Sequence, residues 1–205
     1  MRLTGLTLFV ALTALAVGAA EDEQNTQSSP DKNWEYKVVD SAPAIVKAGS
    51  SDVSVELPGP GEVIWARDSR RFALSYRAGV RYRGCAAFEL VGSTWKQLAD
   101  FAEDAEAVQK VIKRAKLAQV KKLGLSSTTN QRRISDTWRA RRWLNNDTLE
   151  LNAFSESVVY KGEEIESVSC SVLFRIKCDN RGGWKVVSSR VVSGEEAEKL
   201  QSESE

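Results

Sequence analysis

The feature that most constrains the fold of this chain is a long, strict alternation towards its C-terminal end. Between residues 168 and 178 every second residue is apolar: Val168, Cys170, Val172, Phe174, Ile176 and Cys178. Because successive side chains of a β-strand point to opposite faces, this period of two predicts one strand with a single buried face. Residues 179–183 supply Asp, Asn and Gly for a tight turn, and apolar residues return from Trp184 to Val192. The sequence therefore predicts a β-hairpin here.

Shorter apolar or alternating runs, most of them closed by Gly, Pro, Asp or Ser, occupy the rest of the chain. In the first half they cover residues 34–39, 44–47, 53–57, 63–65, 72–76, 86–91 and 95–98. After residue 130 they cover 138–143, 148–154 and 158–160, before the long strand. Short strands with frequent turn residues are typical of antiparallel meanders, in which each strand pairs with the next.

One helical segment separates these two sets of strands. Val108, Val111, Ile112, Ala115 and Leu123 recur at helical spacing, with acidic residues before them and lysines near the end. The pattern predicts a helix near 103–123, which Gly124 ends. The predicted fold class is therefore mainly β (α+β), with antiparallel meanders before and after one long helix, in a single β-rich domain at 34–194.

The two ends of the chain differ in composition from this domain. Residues 1–20 have the layout of a secretory signal peptide: a basic start, a short apolar core and the small residues Gly18, Ala19 and Ala20. We expect cleavage near Ala20 and a secreted or periplasmic mature protein that is not an integral membrane protein; the alternative is an uncleaved anchor. The composition predicts a flexible acidic leader at 21–33 and an acidic tail at 195–205, where a short helix at 195–200 fits the pattern.

Charge is distributed unevenly along the chain. Residues 32–194 carry 27 basic and 19 acidic side chains, whereas the segments on either side are acidic. This distribution predicts either that the acidic ends screen the basic centre or that an anionic partner displaces them. The alternative is that these charges only solvate the surface.

Residue content argues against several kinds of site. The absence of histidine removes Ser-His-Asp and Cys-His catalysis, and the sequence has neither a CxxC pair for zinc nor a Gly-rich phosphate loop. We therefore expect no cofactor and no metal site. Cys170 and Cys178 lie too far apart in one straight strand to form a disulfide. Either Cys85 bridges one of them, or the strand bends, or all three thiols are free and buried.

Two stretches share one sequence pattern, in which a Trp precedes a polar turn with an Asp and then an alternating strand. They are Trp65–Tyr76 and Trp143–Ala153, and Ser29–Tyr36 is a weaker third copy. Asp31 and Asp68 lie 37 residues apart, which is close to the length of a four-stranded blade. The alternative is that this order reflects ordinary hairpin chemistry.

These three stretches resemble the repeat unit of TolB-type β-propellers, in which an Asp in the opening turn is followed by an aromatic residue and a strand. The sequence departs from that unit at Arg67, where the family prefers Pro, and at Ser69, where Gly is usual. The resemblance implies blade-like sheets and a binding surface. Because a closed propeller needs at least four blades, we expect less than a full propeller.

The most unusual group of side chains lies between residues 132 and 143. It combines arginines with tryptophans: Arg132, Arg133, Trp138, Arg139, Arg141, Arg142 and Trp143. Arginine forks bind phosphate, sulfate or carboxylate, and tryptophan adds stacking or cation–π contact. The segment therefore predicts a binding site for anionic groups. The alternative is that the two tryptophans anchor the core and the arginines pair with Asp136, Asp147 and Glu150.

The sequence thus favours an exported, non-catalytic binding protein whose partner is an acidic protein or a polyanionic polymer; nucleic acid fits an exported protein poorly. The alternative function is a carboxylate-dependent hydrolase of envelope or extracellular glycan, because catalysis by two carboxylates needs no histidine. Its candidate acids are Glu89, Glu150, Glu156, Glu163, Glu164 and Glu166. No feature of the sequence predicts the oligomeric state.

Overall fold

The computed structural model describes residues 28–101, 106–125, 131–161, 163–179 and 181–202. Within these ranges the first strands are β1 (Trp34–Val39), β2 (Ala42–Lys47), β3 (Val53–Glu56), β4 (Gly61–Trp65), β5 (Arg71–Arg77), β6 (Tyr82–Val91) and β7 (Thr94–Asp100). They are followed by α1 (Glu106–Lys122), β8 (Gln131–Trp143), β9 (Thr148–Lys161), β10 (Glu164–Cys178), β11 (Trp184–Val192) and α2 (Glu195–Ser202). The predicted signal peptide and the first part of the predicted leader lie outside the described residues.

The strands form two sheets. β1, β2 and β3 make a small antiparallel sheet, and the other strands make a larger sheet in the order β11-β10-β9-β8-β6-β5-β4, with β7 also paired to β6. Within the larger sheet, β4–β7 and β8–β11 are each an antiparallel meander of four strands. The predicted fold class is therefore confirmed: the chain is mainly β, with blade-like meanders on either side of a helix.

A short parallel pairing joins the two meanders into one sheet. Tyr82 and Arg83, at the start of β6, pair with Asp136 and Thr137 of β8. The Asp136 N–H also donates a hydrogen bond of 3.3 Å to the Arg81 carbonyl oxygen. Because β5 occupies one edge of β6, β7 and β8 lie one after the other along its second edge. This junction places two arginine-rich segments side by side.

Helix α1 covers the alternating face of β10. Its buried residues Val108, Ile112 and Ala115 belong to one core cluster with Val172 and Phe174 of the strand. The alternation that dominates the sequence is therefore the apolar surface on which the helix packs. No helix in the described part of the chain combines the length and apolar character needed to cross a membrane.

A cluster of aromatic rings joins the small sheet to the large one. Trp95 of β7 is buried at its centre, and its ring centroid lies 5.4 Å from that of Trp34 in the small sheet. On the large sheet the same ring lies 5.8 Å from Trp65 and 4.9 Å from Phe72. Three edge-on contacts thus meet at one side chain, which makes Trp95 the main link between the sheets.

The three cysteines are buried and free of disulfides. Burial raises the pKa of the thiols of Cys170 and Cys178 to about 11. Burial raises the pKa of the Cys85 thiol further still. Among the alternatives that the sequence leaves open, the structure has three protonated, buried thiols that act as small apolar residues.

The repeated stretches Ser29–Tyr36 and Trp65–Tyr76 open with turns of one geometry. In each, the Asp Oδ1 accepts a hydrogen bond of 3.1 Å from the N–H two residues further on, at Asp31 and at Asp68. The residue after each Asp has a positive φ, 61° at Lys32 and 58° at Ser69. This left-handed position is where the TolB-type unit usually has Gly, because glycine adopts it without a steric penalty.

Contacts between turns tie the start of the described chain to the larger sheet. The Asp31 N–H donates to Ser69 Oγ over 3.0 Å, and Ser29 is fully buried beside it. In the repeated stretch Trp143–Ala153, Asn145 accepts a hydrogen bond of 3.0 Å from the Asp147 N–H, so an Asn makes the turn there. The last residues of the predicted leader therefore form a hydrogen-bonded turn against β4 and β5.

Candidate functional site

The seven residues predicted as a site all lie on β8, but this strand does not present them as one surface. Trp138 and Trp143 have only 1 % and 7 % of their surface exposed, and both belong to the core that α1 covers. The indole N–H of Trp143 donates a hydrogen bond of 3.0 Å to the Ile64 carbonyl oxygen. Both tryptophans are therefore core anchors, and the almost fully buried Trp138 also forms part of the wall of a depression described below.

Two β-bulges in β8 explain which residues reach which face. The register against β9 shifts once at Ile134 and once at Arg141, where two residues of β8 oppose one residue of β9. Each bulge moves the residues that follow it to the other side of the sheet. As a result Trp143 lies in the core with Ala140, and Arg133 lies on the same side of the strand as a buried carboxylate, described below.

The predicted arginines differ in their partners. Three form ion pairs, which are Arg133–Asp136 at 2.6 Å, Arg139–Glu62 at 2.8 Å and Arg142–Glu150 at 3.2 Å. Asp147, the third acid considered in the sequence, pairs with Lys177 instead. Arg139 and Arg141 line a separate cavity beneath α2. Arg132 and Arg133 therefore lie apart from the other three arginines of the predicted site.

The parallel pairing of β6 with β8 brings Arg132 and Arg133 next to another cluster of arginines. We define the arginine surface as Arg81, Tyr82, Arg83, Arg132 and Arg133. These side chains line two adjoining depressions, one of which also includes Val80. All residues from 77 to 83 are exposed, and Val80 has 88 % of its surface exposed. The arginine surface is therefore open to large molecules.

Arg133 is fixed at the centre of this surface by two contacts. Its guanidinium carbon lies 5.0 Å from the centroid of the Tyr82 ring, in cation–π geometry. Its Nη2 lies 2.6 Å from Asp136 Oδ2. The second oxygen of this buried carboxylate accepts a hydrogen bond of 2.6 Å from Ser155 Oγ. Asp136 is thereby held in place, and through it the orientation of Arg133 is set.

Lys116 of α1 supports the same carboxylate from behind. Its Nζ donates hydrogen bonds of 2.9 Å to Ser155 Oγ and 2.7 Å to Ser157 Oγ. Desolvation by burial is the largest influence on the Lys116 amine, and it lowers the pKa although the nearby Asp136 acts in the opposite direction. Helix α1 thus contributes a basic group to the layer beneath the arginine surface.

The remaining arginines of the surface have no such support. Among the described residues, no carboxylate lies within ion-pair distance of Arg81, Arg83 or Arg132. Arg83 is also directly opposite Arg77 in the pairing of β5 with β6, and like charges in this position are destabilising. The surface therefore concentrates positive charge that the described part of the protein does not neutralise.

Such a group of side chains can bind anions but shows no arrangement for covalent chemistry. Guanidinium forks donate two parallel hydrogen bonds to phosphate, sulfate or carboxylate, which gives both strength and orientation. The Tyr82 ring adds a flat surface beside them. Arg132 and Arg133 were part of the predicted site, and the structure adds Arg81, Tyr82 and Arg83.

Sequence reasoning missed these three residues because the alternation at 80–83 is only four residues long and lies between Gly79 and Gly84, which favour a turn. The signal that could have found them is the density of arginines at positions 77, 81 and 83. What no local pattern reveals is that this segment lies next to the start of β8.

The acids considered for hydrolysis have structural partners or lie apart from one another. Glu89 pairs with the buried Arg71, and Glu150 pairs with Arg142. Glu156 accepts hydrogen bonds from the Ser135 and Ser167 hydroxyls. Of the run at 163–166, Glu163 lies in the connection between β9 and β10, whereas Glu164 and Glu166 lie at the start of β10. No pair of these carboxylates faces another across a depression described above.

Comparison with known proteins gives a weak likeness of structure. No family model matches the chain, and no curated protein matches it. Among solved structures, the crystal structure of TolB from Acinetobacter baumannii matches 78 % of this chain and 39 % of its own length, with a TM-score of 0.33 and 10 % identity. The chain thus spans well under half of that protein. The weak, partial resemblance seen in the sequence is matched by an equally weak likeness of structure.

Proposed function

We propose that this chain is an exported, non-catalytic binding protein that binds an anionic polymer through the arginine surface. The observation that carries the proposal is the gathering of Arg81, Arg83 and Arg132, none with a carboxylate partner in the described part of the chain, around the Tyr82–Arg133 stack. The export component rests on the composition of residues 1–20.

The physical reason is the cost of concentrating like charges. Several arginines on one exposed surface repel one another, and an anion that binds between them relieves this repulsion while it forms charge-assisted hydrogen bonds. Because the surface consists of two adjoining depressions, it suits a ligand with several anionic groups better than a single small ion. A polyanionic glycan or an acidic protein segment has this character.

The proposal is tested by binding of the full mature chain to three polyanions that differ in chemistry: heparin for sulfate, polyphosphate for phosphate and poly-glutamate for carboxylate. We expect at least one to bind, and to bind more weakly as salt is raised because exposed charges are screened. The double variant Arg81→Ala/Arg132→Ala should lose about tenfold or more in affinity, since hydrogen bonds to charged groups contribute roughly 1.5–3 kcal/mol each.

A matched control removes two arginines at the end of β5 that lies away from the arginine surface. Arg67 and Arg70 are exposed in the turn between β4 and β5, so Arg67→Ala/Arg70→Ala changes the net charge equally and leaves the arginine surface intact. We expect this variant to bind within about twofold of the unmodified chain. Equal losses in both double variants, or no binding to any of the three polymers, would show that the proposal is wrong. The hydrolase alternative stays a prediction that no contact described above favours.

A further inference from the structure

The C-terminal helix α2 is seated on the larger sheet by one apolar side chain. Leu200 has only 5 % of its surface exposed, although the helix has eight residues and is otherwise mostly exposed. It borders the cavity that is also lined by Glu62, Ile64, Arg139, Ala140, Arg141 and Asn152. This group, together with Arg190 of β11, is named the α2 groove.

The charges of α2 match those of the groove. Both carboxylate oxygens of Glu196 accept hydrogen bonds of 2.7 Å from Arg190, in a two-pronged pair. This pair is the largest cause of a lowered pKa at Glu196, and Arg141 adds a smaller effect in the same direction. Glu196 and Leu200 are four residues apart, so both lie on one face of the helix. The helix therefore contacts the groove through one carboxylate and one leucine.

Helix α2 depends on this docking. A helix of eight residues is too short to be stable in water by itself, because isolated helices need about 12–15 residues to be even marginally populated. Its first turn begins at Gly194, whose carbonyl oxygen accepts hydrogen bonds from the N–H groups of Ala197 and Glu198. A link of only two residues ties it to β11, which keeps its local concentration at the groove high.

We propose that the α2 groove is a binding site for an acidic amphipathic helix of a partner protein, and that α2 occupies this site within the chain until the partner displaces it. A fitting helix carries a carboxylate that pairs with Arg190 and, four residues later, a leucine or similar side chain that enters the cavity. Arg190 and Arg141 match the acidic α2 in charge, whereas Arg139 is paired with Glu62 inside the groove, and α2 itself shows the mode of binding.

This inference does not rest on the proposed function, because the arginine surface is left unchanged in every variant that tests it. The variant Glu196→Ala/Leu200→Ala of the full mature chain removes both contacts of α2 and keeps all residues of the groove. The probe is a fluorescent peptide with the sequence of residues 194–202, and binding is measured by anisotropy. We call this variant the undocked chain. We expect the peptide to bind it at least tenfold more tightly than the unmodified chain, because α2 competes with the peptide in the unmodified chain.

Two controls test the contacts themselves. A peptide with Leu200→Ala and a scrambled peptide of the same charge should both bind the undocked chain at least fivefold more weakly. Adding Arg190→Glu to the undocked chain should abolish binding of the original peptide, and a peptide with Glu196→Arg should restore it. The proposal is overturned if the peptide binds both chains equally, if it fails to bind the undocked chain at millimolar concentration, or if the scrambled peptide binds as well. It is likewise overturned if the undocked chain forms dimers and does not bind the peptide.

Discussion

Residues close together on β8 have opposite roles. The surroundings of each residue, rather than its type, decide its role. Arg132 is exposed with no carboxylate partner among the described residues, whereas Trp138 fills the core beneath α1. Arg133 lies between them and is exposed for about half of its side chain, yet it is fixed by Asp136 and Tyr82. The site is therefore built from a few arginines whose charge is exposed and one whose position is set from beneath.

The core role of Trp138 is tested by its effect on stability. Trp138→Ala should lower the free energy of unfolding by about 3–5 kcal/mol, because it leaves a cavity where a large ring was buried. Arg132→Ala should change it by less than about 0.5 kcal/mol, as is usual for exposed residues without partners. Urea unfolding followed by circular dichroism measures both. Similar values for the two variants would contradict the placement of these side chains.

The buried thiols predict a loss of stability at alkaline pH. The pKa of Cys170 and of Cys178 is about 11 in the folded chain and 9.0 ordinarily, so the unfolded chain releases these protons first as pH rises. The free energy of unfolding should therefore fall between about pH 9 and pH 11, by roughly 1–3 kcal/mol for each thiol. The lowered pKa of Lys116 acts in the opposite direction.

The variant Cys178→Ala shows how much of this loss of stability comes from one thiol rather than from other titrating groups. Urea titrations at several pH values should show a smaller fall for this variant than for the unmodified chain. An identical fall in both would mean that Cys178 does not titrate as its burial requires.

At the scale of single residues, the sequence predicts the chemistry of the site better than it predicts which residues form the site. Arginine content points to anion binding, and Arg132 and Arg133 do lie on the arginine surface. The burial of Trp143 depends on a bulge at Arg141, and alternation counted along the strand does not reveal a bulge. The roles of the tryptophans therefore required the structure.

Among the secondary-structure elements, α1 and β8 act together through a polar layer under the arginine surface. Lys116, Ser155 and Asp136 connect the helix to Arg133 by hydrogen bonds and one ion pair. We infer that Asp136 is a positioning residue, because its carboxylate is buried and pairs with Arg133. If the arginine surface binds an anion, we expect Asp136 to favour that binding, although its own negative charge would oppose it.

Replacement of Asp136 distinguishes positioning from simple charge. Asp136→Asn removes a negative charge beside the arginine surface, so electrostatics alone predicts tighter binding of a polyanion. We expect binding to be weaker instead, by about two- to fivefold, because Arg133 loses the partner that holds it beside Tyr82. Titration with the polymer that binds the unmodified chain measures this, well below the melting temperature of the variant. Glu56→Gln, at an exposed position of β3, is the control and should bind no more weakly than the unmodified chain.

The elements themselves were largely predictable, because their patterns are local. The alternation at 168–178 lies within β10, and the helical spacing at 108–123 marks α1 to within a few residues. The start of β6 was not predicted, since the alternation around Arg81, Tyr82 and Arg83 is short and is flanked by glycines. Its place in the sheet comes from pairing with β8 rather than from its own sequence.

For the whole molecule, the two sheets are connected through aromatic rings rather than through shared strands. Trp95 contacts Trp34 on the small sheet and both Trp65 and Phe72 on the large one. The structure therefore couples the stability of the small sheet to that of the large sheet through a shared core in which Trp95 is the central ring.

Trp95→Ala should destabilise the chain by about 3–5 kcal/mol and separate the unfolding of the two sheets. Hydrogen exchange followed by mass spectrometry should show faster exchange in β1–β3 than in β8–β11 of this variant. Equal acceleration throughout both sheets, or none in either, would contradict the linking role of Trp95.

The arrangement of the whole molecule was the least predictable part. Meanders follow from sequence because consecutive strands pair, but the parallel contact between β6 and β8 joins segments far apart in the chain. The position of α2 on Arg139 and Arg141 depends in the same way on distant residues. The sequence left contact between the acidic tail and the basic centre open as one alternative, but it did not show which residues, Glu196 and Arg190, make that contact.

The central claim is that the arginine surface binds an anionic polymer, and a hydrogen-exchange footprint tests it most directly. The full mature chain is compared with and without a short heparin fragment at low salt, and exchange is measured for each peptide segment. We predict slower exchange in the segments that contain residues 77–83 and 131–134, and no change in residues 194–202. Slowing confined to the α2 groove, or to neither region while the fragment remains bound, would contradict the account.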